Sequence, residues 1–360
     1  MNIVYRYRVK NLNGLLNKQA RAVNYVWNFC NETQKHALKW EKKWPTAFDF
    51  VNLTSGSSKL IELYSSSIVQ TCLSYAKSRI KSHKSSLNWR GRKSLGWIPL
   101  SGRSLIQKGE NFAFDKKIYR VFKSRPLPIG AKIKDGSSFS QDARGNWYLN
   151  VCIEVPDVAQ RSINSGVGID LGLKALATLS TGEIIENPRH LAAKADKLVK
   201  SQRARKKRQT RNIHAQVKNA RADFHHKLSH RLVNEFDYIA AGNVNAAGLA
   251  KTSMAKSVND AGWSQFRNML RYKAIRHGAW YEEVDEKWTT QTCSSCGSKY
   301  SEARPKGIAG LGIRQWMCSC GITHDRDVNA AKNILARSGH RALVEGIVAS
   351  NARECQEVEA

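Results

Sequence analysis

The stretch that decides the fold is GVGIDLGLKALATLSTGEIIENP, residues 166–188. Its apolar residues come in short runs broken by Gly, Ser and Thr, which predicts three strands with a turn at Ser180–Glu183. An aspartate, Asp170, stands at the end of the first run, where an apolar residue would be cheaper to bury. Around this stretch, FDYIAA (236–241) reads as a short apolar strand and AWYEEVDE (279–286) as another. SVNDAGWSQFRNMLRYKAIRHG (257–278) reads as a helix with Trp263, Phe266, Leu270 and Ala274 on one face. Strands alternating with helices in this order imply an α/β layer with parallel central strands. The polar stretch from about Pro188 to Glu235 reads as a long helical region.

Upstream, MNIVYRYRVK alternates like a strand, and Leu16, Val23, Val26, Trp27 and Cys30 then recur at helical spacing. A second amphipathic helix is marked by Val69, Leu73, Ala76 and Ile80. From Leu100 to Val155 the pattern changes to short alternating segments (FAF, YRVF, AKIK, NWYLNVCIEV), the signature of a small antiparallel barrel or sheet that the first strand can join.

Charge points to the partner. Lys and Arg outnumber Asp and Glu by 59 to 29, a formal net charge of +30, and the excess recurs in KSRIKSHKSSLNWRGRK (77–93) and KSQRARKKRQTR (200–211). Long polyanions, meaning nucleic acid, are the expected partners. Lys200, Arg203, Arg205, Lys206, Lys207, Arg208 and Arg211 are the first candidates for phosphate contact, followed by Arg90, Arg92 and Lys93. Trp89 and Trp97 could stack on bases, although core packing explains each as well. No apolar run reaches the roughly 18 residues that a spanning helix needs. The expectation is therefore a cytoplasmic protein with no membrane partner.

Eight cysteines are present, and four fall at ligand spacing: Cys293 and Cys296 as C-x2-C, Cys318 and Cys320 as C-x-C, with Gly297 and Gly321 directly behind each pair. Four thiolates so spaced can close a tetrahedral zinc site, which is structural because no position stays open. Cys30, Cys72, Cys152 and Cys355 have no such neighbour.

Behind the second pair, ITHDRDVNAAKNIL places Asp325 and Asp327 before a helix, where an Asp is by default an N-cap. Set beside Asp170, such a carboxylate has a second reading, as part of a magnesium site of the two-metal nuclease kind.

The motifs GIDLGLKALATL, FHHKLSHRLV, TTQTCSSCG and HDRDVNAAKNIL, in this order, resemble the TnpB proteins of bacterial insertion sequences, relatives of the type V CRISPR nucleases. NWRGRKSLGWIPL and AGLAKTSMAKSVNDAGWSQF resemble one TnpB subgroup. The resemblance implies an α/β plus β-barrel chain. Residues 1–10 and 97–160 would form an oligonucleotide-binding-type barrel, interrupted by a helical recognition lobe at 11–96. Residues 161–292 and 321–345 would form an RNase H-like RuvC nuclease domain, with an inserted zinc ribbon at 293–320 and a C-terminal tail at 346–360. It also implies a guide RNA derived from the transposon end, a double-stranded target DNA with an adjacent motif, and cleavage at a site holding two magnesium ions.

Asp170 matches the first RuvC acid and Asp327 the third; Asp325 is left as a cap or a supporting group. The sequence departs from the family at the second acid, because Ala241 or Gly242 stands where TnpB proteins carry a glutamate. Two readings stay open. Either Glu286, last in EEVDE (282–286) and longer in reach than Asp285, supplies the acid from the neighbouring strand, or the chain is a nuclease-dead, RNA-guided DNA binder. A third possibility is a zinc-containing DNA-binding transposition regulator that acts without RNA.

Overall fold

A computed structural model describes residues 2–40, 43–122, 124–299, 303–305 and 309–339. The expected tail (346–360), Cys355 and residues 340–345 lie outside the described residues. The chain divides into two compact units, Met1–Pro156 and Asp157–Ala360.

In the first unit, Asn2–Val9 buries Ile3, Tyr5, Tyr7 and Val9 on one face and pairs antiparallel with Trp147–Glu154 along its length. That ladder is the middle of a six-stranded sheet in which Trp97–Pro99 and Val121–Phe122 end the path. No ladder joins these two end strands among the described residues. A separate three-stranded meander, Leu105–Lys108, Asn111–Phe114 and Lys117–Tyr119, packs into the same core. The helices Asn13–Lys39 and Ser65–Ser82 are inserted between the first strand and the rest, and they bury Cys30 and Cys72 against each other with sulfurs 3.9 Å apart.

In the second unit, three strands follow one another antiparallel: β1 (Gly166–Leu171), β2 (Ala175–Leu179) and β3 (Ile184–Glu186). Helices α1 (Ala195–Arg203) and α2 (Lys207–Glu235) then lead to β4 (Tyr238–Gly242), which lies parallel to β1. The helix α3 (Trp263–His277) leads to β5 (Trp280–Val284), parallel to β4. The sheet order is β3-β2-β1-β4-β5. Beyond β5 the short hairpin β6 (Gln315–Met317) and β7 (Thr323–Asp325) precedes the helix α4 (Arg326–Ala336).

Three boundaries differ from the periodicity reading. The polar helical stretch breaks at Ala204–Lys206, where Arg205 holds a φ of +51°. The helix expected over 257–278 is two, Ala255–Ala261 and α3, hinged at Gly262 with φ +64°, a conformation open to glycine. The strand expected over 279–286 ends at Val284, whose carbonyl accepts from Asn243 N at 2.9 Å, so Asp285 and Glu286 lie beyond it.

The helix α4 lies on the face of β1 that carries Gly168 and, two residues on, Asp170. Contact is backbone to backbone: a methyl group added at Gly168 would stand 2.0 Å from the Ala331 carbonyl oxygen. Ala330 and Ala331, both fully buried, keep this approach close. Gly168→Ala is therefore expected to force α4 off the sheet and to cost about 1–3 kcal/mol of stability. A thermal melt matching the parent would show that this packing is not as tight as described.

Candidate active site and metal centre

Sheet and helix together gather carboxylates at one edge. The register sets Ile169 beside Ala241 and Gly242 beside Val284, so Asp170, Gly242 and the end of β5 are level at the C-terminal ends of three parallel strands. Ligand sites of open α/β sheets lie at this end. The first turn of α4 carries Asp327 over the same edge.

Asp170 keeps part of its surface open, yet the atoms packed around it strip most of its hydration. Burial pushes its carboxyl well above the usual range, and the nearby charges of Asp327 and Glu286 push it the same way, against Arg326. Glu286 is likewise raised, first by burial, against the pull of Arg267. The side-chain oxygens of Asp170 and Glu286 make no hydrogen bond or ion pair with the protein among the described residues.

The four carboxylates of EEVDE have separate positions. Glu282 accepts from the Tyr238 hydroxyl at 2.5 Å and from Gly339 N at 3.0 Å. Glu283 is paired with Arg267 at 3.2 Å and with Arg271. Asp285 accepts from Lys287 N at 3.1 Å and shapes its own turn. Glu286 alone turns to the sheet edge. A methyl group added at Gly242 would lie 3.0 Å from Glu286 Oε2 and 3.6 Å from its Cβ. The Glu286 side chain thus fills the space that a side chain at Gly242 would occupy. Its backbone is fixed there, with Glu286 N donating to Asn243 Oδ1 at 3.4 Å and its carbonyl accepting from Thr289 Oγ1 at 2.8 Å.

Asp327 differs from the other two. One oxygen accepts from Arg314 Nη1 at 2.8 Å and the other from Arg326 Nε at 2.9 Å. Asp325 is the N-cap, accepting from Asp327 N and Val328 N at 3.0 Å each, as its position before a helix predicts. Arg314 was missed in the sequence, and Gly242 was named there only as a place of the absent acid, not as the space that Glu286 fills. Gly242 carries a signal, since an apolar strand ending on glycine leaves room above it. Arg314 carries none, because only the fold brings it to Asp327.

Next to this edge, the sulfurs of Cys293, Cys296, Cys318 and Cys320 all lie within 4.8 Å of one another and could hold a metal ion. Asp170, Glu286 and Asp327 do not form such a close group among the described residues. Both knuckles close as their glycines require: Gly297 N donates to the Cys293 carbonyl and Gly321 N to that of Cys318, each at 2.9 Å, with φ of +73° and +89°. Burial raises the Cys293 thiol, but the N–H groups of Cys296 and Ser295 and the His324 side chain outweigh it and bring it down to about 6. A thiol so placed is readily a thiolate donor. The shortened C-x-C pair therefore still reaches the other two sulfurs.

The seven basic residues Lys200, Arg203, Arg205, Lys206, Lys207, Arg208 and Arg211 are all exposed, and no ion pair engages them among the described residues. Four lie from Lys206 to Arg211 at the start of α2, where positive charge opposes the helix dipole. Arg92 and Lys93 are exposed too. Arg90 is engaged within the protein. Its Nε donates to Asn24 Oδ1 at 2.8 Å and its Nη2 to the Leu95 carbonyl at 3.0 Å, between the rings of Trp27 and Trp97.

Residues 150–253 match the family model described as "Probable transposase", and residues 263–334 match that of the Cas12f1-like TNB domain. A "Putative RNA-guided DNA endonuclease" of Streptomyces pristinaespiralis is 38% identical over 231 residues, covering 59% of this chain and 55% of that protein. TnpB-like protein L79 of Acanthamoeba polyphaga mimivirus is 31% identical over 226 residues, 55% of this chain and 42% of its own. The chain is thus similar in sequence to TnpB-like proteins and to putative RNA-guided DNA endonucleases. A further relative, "Putative RNA-guided DNA endonuclease InsQ" of Escherichia coli (strain K12), is 30% identical over 239 residues, 58% of each chain. The chain aligns with about half the length of these curated relatives.

Proposed function

We propose that this chain is an RNA-guided DNA endonuclease of an insertion sequence. It would hold a guide RNA from the transposon end and cut double-stranded DNA beside an adjacent motif at Asp170, Glu286 and Asp327. In this reading the second unit is an RNase H-like RuvC domain with an inserted zinc ribbon. The first unit is the barrel with its helical lobe, which grips guide and target. The observation that carries the proposal is the Glu286 carboxylate seated over Gly242, level with Asp170. Of the four acids in EEVDE, it is the one left without a structural partner.

The donor set fits magnesium. The charges of Glu286 and Asp327 raise the cost of ionising Asp170, and hard oxygen donors that oppose one another's charge are what a small divalent cation neutralises. Bound between Asp170, Glu286 and Asp327, magnesium would supply an activated water and charge stabilisation for the leaving oxygen. Gly242 leaves the space in which Glu286 sits, Asn243 and Thr289 hold its backbone, and the α4 contact at Gly168 holds Asp327 over the edge. The exposed cations at the α1–α2 break would neutralise phosphates without reading sequence, which guide pairing supplies. Zinc at the four cysteines would be structural.

The nuclease-dead binder draws on one observation, the two arginines that take both oxygens of Asp327. One experiment separates the readings. RNA co-purifying with the full-length protein is sequenced, and the complex is given a plasmid carrying the matching target. The endonuclease reading expects a defined transposon-end transcript and cleavage that needs magnesium. A defined transcript with binding but no cleavage selects the binder, and random or absent RNA contradicts both.

A further inference from the structure

The turn behind Glu286 carries a second cluster that the metal site does not use. Trp288 is half exposed, at 50%, and holds a backbone φ of +68°, which bulky L-residues rarely adopt. The turn is locked from two sides. The Trp288 carbonyl accepts from Gln291 N and Thr292 N at 3.0 Å each, and Asn333 Nδ2 on α4 donates to the carbonyls of Thr289 at 2.8 Å and Thr292 at 2.6 Å. The backbone that carries the indole is thus fixed relative to the helix of Asp327, while the ring stays half exposed.

Beside it opens a cleft of about 270 Å³ lined by Trp288, Gln291, Lys299 and Arg304. This is just under the lower end of the roughly 300–1,000 Å³ range of small-molecule sites, so it suits one base rather than several. The lining is one exposed aromatic face, one amide that can both donate and accept, and two cations. Arg304 Nε is buried with no hydrogen-bond partner among the described residues. A buried guanidinium nitrogen left unpaired is costly and calls for an acceptor.

We propose that this cleft is a nucleotide subsite. It takes one unpaired nucleotide of the DNA strand that reaches Glu286, with the base stacked on Trp288 and its phosphate against Lys299 and Arg304. The identity of the strand rests on the endonuclease reading. Trp288 follows Glu286 by two residues, so the cleft and that acid share one turn.

The test is binding rather than cleavage, so that its failure is distinct from failure of the endonuclease reading. Full-length zinc-loaded protein carrying Asp170→Ala is titrated with a single-stranded DNA oligonucleotide containing 2-aminopurine, at about 0.3 M salt to suppress non-specific attraction. Trp288→Ala is expected to weaken binding by about tenfold or more and to remove the stacking change in 2-aminopurine fluorescence, while Trp288→Phe retains most of both. Arg304→Gln is expected to reduce the slope of log affinity against log salt by about one. Parent-like affinity and fluorescence in Trp288→Ala overturn the proposal. If that variant melts early or loses zinc, Arg304→Gln decides, and an unchanged affinity and slope overturn it.

Discussion

Glu286→Ala is expected to lower guided target cleavage by about a thousandfold or more while guided binding stays within a few-fold of the parent. Losing one carboxylate from a metal site removes several kcal/mol of charge stabilisation, and each 1.4 kcal/mol or so is tenfold in rate. In the endonuclease reading, binding is set by phosphate contacts and base pairing, neither of which Glu286 would make. The neighbours in EEVDE are the controls. Glu282→Gln weakens the tie to Tyr238 and Gly339, and Glu283→Gln frees Arg267 and Arg271, so both act on stability and leave magnesium-dependent cleavage within about tenfold. Cleavage rates of the three variants under single turnover, beside their melts, check this. A Glu286→Ala rate equal to the parent's would remove Glu286 from the site.

In the proposed reading, Cys318→Ser loses the zinc held by the four cysteines and, with it, the fold of the hairpin around them. Structural zinc contributes an apparent ~10–16 kcal/mol to small domains that fold around it, so removing one of four thiolates has no local remedy. The damage should spread to cleavage, because Arg314, at the foot of β6, holds one oxygen of Asp327. Metal analysis should read one zinc per parent chain and less than half of that in the variant. Cys30→Ser is the control, since Cys30 pairs only with Cys72 in the other unit, and zinc content should not change. Full zinc stoichiometry in Cys318→Ser would show that the four thiols are not the ligand set.

How far the sequence could be read depends on the range of the interaction. The strand ending in Asp170, the paired cysteines with their glycines and the N-cap at Asp325 are local patterns, in which residue type and spacing already carry the physics. Breaks were harder. Gly262 sits inside an apolar period that runs straight through it, and Arg205 adopts its left-handed φ in a run that composition reads as continuous helix. Arg90 looks like its basic neighbours until Asn24 and Leu95, distant or non-periodic in sequence, are seen to bind it. Glu286 was singled out as the last residue of a strand, yet the strand ends at Val284 and a turn presents the side chain instead. The double arginine clasp on Asp327 involves a residue from across the cysteine hairpin, and no periodicity encodes it.

The central claim is that Glu286 occupies the place of an acid that β4 lacks, and moving the acid back tests it most directly. Gly242 has an ordinary extended backbone, and the contacts its new side chain would meet are Glu286 itself and the flexible tip of Ile334 at 3.3 Å. Cleavage should therefore be almost lost in Glu286→Ala and recover at least about tenfold in the Gly242→Glu, Glu286→Ala double variant. A double variant no more active than Glu286→Ala, with unchanged melting, would contradict the account.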